Sequence, residues 1–156
     1  MYKTLTAQLV SFSEGVTYPV TILANAAAIL FNSLDDINWA GFYILDGVSS
    51  DDAGTLLLGP FQGKPACMKI PVGKGVCGTA VARGETVLVP DVHEFPGHIA
   101  CDSASKSEIV VPIFLGEKVY GVLDIDSPSA GRFTDDDRRG LEEFVAVLQK
   151  FLAPIC

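Results

Sequence analysis

The side chains able to do chemistry here are the thiols Cys67, Cys77, Cys101 and Cys156, the imidazoles His93 and His98, and carboxylates on strand-like segments. Four cysteines are too few to staple a secreted scaffold of this length, and none forms a C-x-x-C pair, so reactive or merely buried thiols remain. Cys77 lies in 73–78 (GKGVCG), which matches G-x-G-x-x-G. The helix after it is too short for a Rossmann crossover, and no parallel strand follows. The segment reads as a glycine-rich turn opening a short helix, whose positive end is expected to lower the Cys77 pKa; a small buried cysteine is the alternative. His93-x4-His98-x2-Cys101 lies in a loop without paired short-spaced ligands, so no metal is expected and the histidines read as loop-ordering hydrogen-bond residues.

The segment 119–126 is more informative. Strand alternation puts Val119, Gly121, Leu123 and Ile125 on one face, with Tyr120, Val122, Asp124 and Asp126 on the other. Two like charges projecting together disfavour each other unless they share a proton or a cation, so a bound ammonium or metal is implied. Glu108 opens the neighbouring strand and can complete the cluster. Cys101 sits in the loop leading to Glu108, where negative neighbours raise a thiol pKa. Its reactivity would have to come from the substrate, for instance by polarisation of an electrophilic sulfur. Cys156 reads as a frayed terminal thiol.

These groups need elements to hold them. From Val20 to Leu34 apolar residues recur at helical spacing in two stripes, a helix covered on two sides. The segment 38–45 (NWAGFYIL) predicts a strand with Trp39, Gly41, Tyr43 and Leu45 on one face, which sets Trp39 beside Tyr43. Loop composition follows over 46–54, then strands over 55–58 and 66–70 with turns at Gly59-Pro60 and 63–65. A short helix is expected over 76–83, a strand over 86–89, and a long loop over 91–107 that covers a site. Two hairpin strands over 109–115 and 119–126 and a helix capped by Thr134 complete the order. The pattern is α+β, with helices on one sheet face and loops over a ligand pocket on the other.

The 156 residues suit one domain, and nearly half are hydrophobic, enough for a sizeable core. A formal charge of −8 repels phosphate backbones and argues against nucleic acid. The charge-free stretch 15–34 carries too many polar residues for a membrane span, and the first fourteen residues lack a signal's apolar segment, so the cytoplasm is the expected location.

Five segments together carry a resemblance: 58–70 (LGPFQGKPACMKI), 73–79 (GKGVCGT), 91–102 (DVHEFPGHIACD), 105–112 (SKSEIVVP) and 122–128 (VLDIDSP). Nearly the whole chain resembles the GAF-domain free methionine-(R)-sulfoxide reductases. The resemblance implies a six-stranded antiparallel sheet flanked by helices, and a thiol mechanism without a cofactor. It implies Cys101 as nucleophile, Cys67 as resolving cysteine and Cys77 as auxiliary thiol. It further implies Trp39 and Tyr43 as the wall around the substrate methyl group, Glu108 polarising the sulfoxide oxygen, and Asp124 and Asp126 holding the amino group. Recycling is expected from an external dithiol such as thioredoxin, and the two-sided helix and the resemblance favour a homodimer. A GAF small-molecule sensor without catalysis is the alternative, and would have no need of thiols at Cys67 and Cys101.

Overall fold

A computed structural model of the chain describes residues 1–99 and 104–156. Its elements in chain order are α1 (Tyr2–Ser13), α2 (Pro19–Ser33), β1 (Trp39–Asp46), β2 (Thr55–Gly63), β3 (Lys69–Pro71), α3 (Gly75–Arg83), β4 (Val87–Val89), β5 (Ser107–Leu115), β6 (Lys118–Ser127) and α4 (Asp135–Leu152). The strands form one antiparallel sheet in the order β3-β2-β1-β6-β5-β4, as the α+β reading expects.

Alternation along the strands creates two cores. Ala40 and Phe42 of β1, Leu123 and Ile125 of β6, and Ile109, Val111 and Ile113 of β5 point to a layer made by α1, α2 and α4. On the opposite face Trp39, Tyr43, Val110 and Val122 pack with Leu56, Ile70 and residues of α3. The helical layer is pinned at the start of α4 by a reciprocal capping box between Thr134 and Asp137. The Asp137 carboxylate also accepts from Tyr2 Oη at 2.7 Å and from Arg132 at 3.2 Å.

Four sequence expectations need correction. Helix α1, with Leu5 and Leu9 buried, was not anticipated; its i, i+4 leucines are a weak signal among polar residues. Gly59-Pro60 is not a turn. Strand β2 runs through it to Gly63, and the β1–β2 register slips between Gly41 and Tyr43, so the pair is accommodated as a bulge, where a proline is tolerated. Likewise β6 carries an extra residue where Ile113 pairs Gly121 and Phe114 pairs Val119. Tyr120 therefore leaves the face of Asp124 and packs against the helical core beside Cys156, and burial with that thiol pushes its pKa up to about 12. Strand β3 starts at Lys69, which leaves Cys67 in the β2–β3 loop and not in a strand.

Candidate active site

The central strands β1, β6 and β5 bring the site together through register alone. Trp39 and Glu108 both lie directly opposite Asp126, while Gly41 and Val110 flank Asp124. Because facing residues share a sheet face, the carboxylates of Glu108, Asp124 and Asp126 and the ring of Trp39 project to one side. The aromatic pair is as expected, with Trp39 and Tyr43 stacked at 5.9 Å between ring centroids. Phe61 also stacks on Trp39, at 5.2 Å between centroids. Gly41 makes this possible, since a Cβ there would meet Phe61 Cβ at 2.3 Å and the Trp39 ring at 2.8 Å.

Helix α3 closes the site from above and delivers Cys77 in its first turn. The glycine-rich sequence before it is a corner. Gly73 N–H donates to the Gly78 carbonyl at 2.9 Å, and a Cβ on Gly78 would meet the Pro71 carbonyl at 2.5 Å. The expected lowering of the Cys77 pKa does not occur. Burial pushes the thiol well up, and Asp124, Glu108 and Asp126 add to the rise, so desolvation and negative charge overcome the helix dipole.

Glu108 and Asp124 are 6% and 5% exposed. Burial raises the pKa of each well above the carboxylate range; Asp126 contributes next for Glu108, and Glu108 next for Asp124. The like-charge partner of Asp124 is thus Glu108 across the sheet more than Asp126 two residues along. Asp124 Oδ1 is buried without a hydrogen-bond partner, a costly state that a ligand donor would relieve. One ligand atom from each of Cys77, Glu108 and Asp124 lies within 4.8 Å of the others. That set can hold a cation, either a metal or an ammonium group.

The cleft bounded by these groups encloses about 550 Å³ including its mouth. Trp39, Tyr43, Ile70 and Val76 supply apolar wall, Glu108, Asp124 and Asp126 an acidic floor, and Lys64, His98 and the buried Ser105 further polar lining. His98 was read only as a loop-ordering residue, yet its Nε2 lies 3.7 Å from Glu108 Oε1. Burial lowers the His98 pKa and raises that of Glu108, so both shifts disfavour the charged forms that an ion pair would need. Lys64 was likewise missed, because only the loop's path in three dimensions brings it to the cleft.

Cys67 is disulfide-bonded, whereas Cys77 is a buried free thiol and Cys156 an exposed one. Cys101, expected as the nucleophile, lies outside the described residues. His93 is exposed in a short 3-10 turn (Val92–Glu94) and takes no part in the cleft. No helix among the described residues is long and apolar enough to cross a membrane.

The GAF domain family matches residues 19–150. The chain is 55% identical to the free methionine-R-sulfoxide reductase of Escherichia coli over 152 residues, 97% of this chain and 88% of that protein. The reduced form of fRMsr of Staphylococcus aureus superposes with a TM-score of 0.91 at 53% identity, covering 97% of this chain and 95% of that one. The free methionine-R-sulfoxide reductase of Neisseria meningitidis, solved in complex with its substrate, superposes at 0.90 with 42% identity, covering 99% and 89%. Nearly full-length identity at this level, carried by the same sheet, establishes that the chain belongs to the GAF-domain family of free methionine-(R)-sulfoxide reductases.

Proposed function

We propose that this protein reduces the R epimer of free methionine sulfoxide to methionine. The observation that carries the reading is the cross-strand set of Trp39, Asp126, Glu108 and Asp124, an aromatic wall beside buried acids with one carboxylate oxygen unpartnered. A methyl sulfoxide fits the wall, and a free ammonium fits the acids. The ammonium would meet Asp124 and Asp126 and lower their proton affinity, whereas a peptide nitrogen carries no charge to offer. Glu108, whose proton affinity burial raises, can donate to the sulfoxide oxygen.

In the proposed sequence the Cys101 thiolate attacks the sulfoxide sulfur while Glu108 protonates the oxygen. The substrate S–O bond and the transient bond between the two sulfurs then break as the oxygen passes to the Cys101 sulfur, so methionine leaves with two electrons gained and Cys101, two electrons poorer, becomes the sulfenic acid. The Cys67 thiol then attacks that sulfur; an S–S bond forms, the S–O bond breaks, and water departs. An external dithiol, for which thioredoxin is the natural class, reduces the disulfide. The disulfide-bonded state of Cys67 supports a redox role for that residue. Cys77 is read as an auxiliary thiol. No cofactor or metal enters the sequence, the protein works in the cytoplasm, and it pairs as a homodimer.

The test is consumption of free methionine sulfoxide with a dithiol reductant, each epimer run separately. Turnover confined to the R epimer is the expected result. Binding of the amino acid without turnover of either epimer would favour a GAF sensor module instead.

A further inference from the structure

Two buried donors on β1 reach away from the cleft floor to the loop that carries the disulfide-bonded cysteine. Tyr43 Oη donates to the Cys67 carbonyl at 2.8 Å, and Trp39 Nε1 donates to the Lys64 carbonyl at 3.1 Å. Both rings are almost fully buried, and they stack on each other. The loop they hold is itself exposed at Lys64, Pro65 and Met68, the last 79% accessible. Its two ends are tied to the sheet, by pairing of Gly63 with Trp39 and by a bond from Leu58 N–H to the Met68 carbonyl. Between those ties the two side-chain donors clamp the loop at its first residue and at the cysteine.

We infer that Tyr43 and Trp39 are positioning residues for the disulfide-forming step, in addition to forming the cleft wall: their donors fix the backbone of residues 64–67 and with it the reach of the Cys67 sulfur. The inference rests on the function proposed above. A disulfide tolerates only a narrow range of Cα separations and Cβ directions, so a loosely held loop presents its sulfur in bonding geometry for a smaller fraction of the time. The anchoring donor is permanent, because burial first, and the nearby acids Asp124, Asp126 and Glu108 with Cys77, push the Tyr43 pKa well above the usual phenol range. Since the same two rings border the cleft, a displaced ring would disturb the substrate and the resolving loop together.

The experiment is a single turnover with stoichiometric free methionine-R-sulfoxide, comparing wild type with Tyr43→Phe and Trp39→Phe. Methionine release is followed by chromatography, disulfide formation by thiol counting, and sulfenic acid by dimedone capture. Each variant keeps an aromatic ring and removes one donor. The ratio of the disulfide-forming rate to the release rate is expected to fall about fivefold, the scale of one lost hydrogen bond, with a matching rise in dimedone adduct. General loosening of the fold would lower the melting temperature and slow both steps without changing their ratio. A ratio within twofold of wild type in both variants, with wild type turning over normally, overturns the positioning role alone. Should wild type release no methionine or form no disulfide, the proposed function itself fails, and this inference fails with it. Trp39→Phe carries the test if Tyr43→Phe does not fold.

Discussion

Thiols in one small protein are distinguished here by what surrounds them, since Cys77 is sealed among acids, Cys67 is oxidised in an accessible loop, and Cys156 is exposed. The proposed roles predict separate phenotypes. Cys101→Ser should abolish single-turnover methionine release, Cys67→Ser should release one methionine per chain but fail to recycle with thioredoxin, and Cys156→Ser should be silent; product counting per chain decides among them. The acids predict a pH dependence of stability. Glu108 and Asp124 hold protons in the folded state above the pH where free carboxyls, with ordinary values of 4.5 and 3.8, have lost them. The folded state therefore binds more protons than the unfolded one, and stability falls as pH rises above that range, by at most ~1.4 kcal/mol per pH unit for each retained proton. Thermal melting of the ligand-free protein should show a lower midpoint at pH 8 than at pH 5.5, and Asp124→Asn should flatten that slope. A midpoint that rises over the same interval would contradict the burial of these acids.

Strand β1 is the element on which the cleft depends. Its even spacing sends Phe42 into the helical core and Trp39, Gly41 and Tyr43 to the site, so one eight-residue strand serves both layers. Trp39→Ala or Tyr43→Ala removes apolar contact worth about 1.5–3 kcal/mol, and KM for the sulfoxide should rise tenfold or more. An unchanged KM in a variant of lowered melting temperature would make the ring ordinary core. Gly41→Ala should act through packing. The new methyl has nowhere to go between Phe61 and Trp39, and overpacking of this kind costs about 1–3 kcal/mol, visible as a lower denaturant midpoint together with a raised KM.

For the whole molecule, the shape of the cleft predicts which sulfoxides enter. Its acidic floor lies under α3 at the centre of the sheet, so a substrate amine that meets Asp124 and Asp126 must be free and charged. Acetylation removes the charged donor and leaves the buried Asp124 Oδ1 without a hydrogen-bond partner, at a cost of about 1–3 kcal/mol before any clash of the acetyl group. N-acetyl-methionine sulfoxide and sulfoxide within a peptide should therefore be poor substrates, with kcat/KM reduced at least a hundredfold. Equal kcat/KM for free and N-acetylated substrate would remove the carboxylate pair from recognition.

Local pattern by itself determined the class of fold, the faces of β1 and of β6 from Gly121 onward, the capped terminal helix and the glycine corner before Cys77, because alternation, capping and turn chemistry act over a few residues. Trp39 beside Tyr43 and Asp124 beside Asp126 follow from a period of two and needed no partner strand. The partner strands decided the rest. That Glu108 faces Asp126, and that Asp124 is perturbed chiefly by its burial and by Glu108, depends on the β5–β6 register, which no local spacing encodes. Tyr120 changed faces and Gly59-Pro60 became part of a strand through bulges that only cross-strand pairing reveals. The sign of the Cys77 shift reversed for the same reason: a helix terminus is a local property, whereas desolvation beneath a sheet lined with acids belongs to the tertiary structure alone.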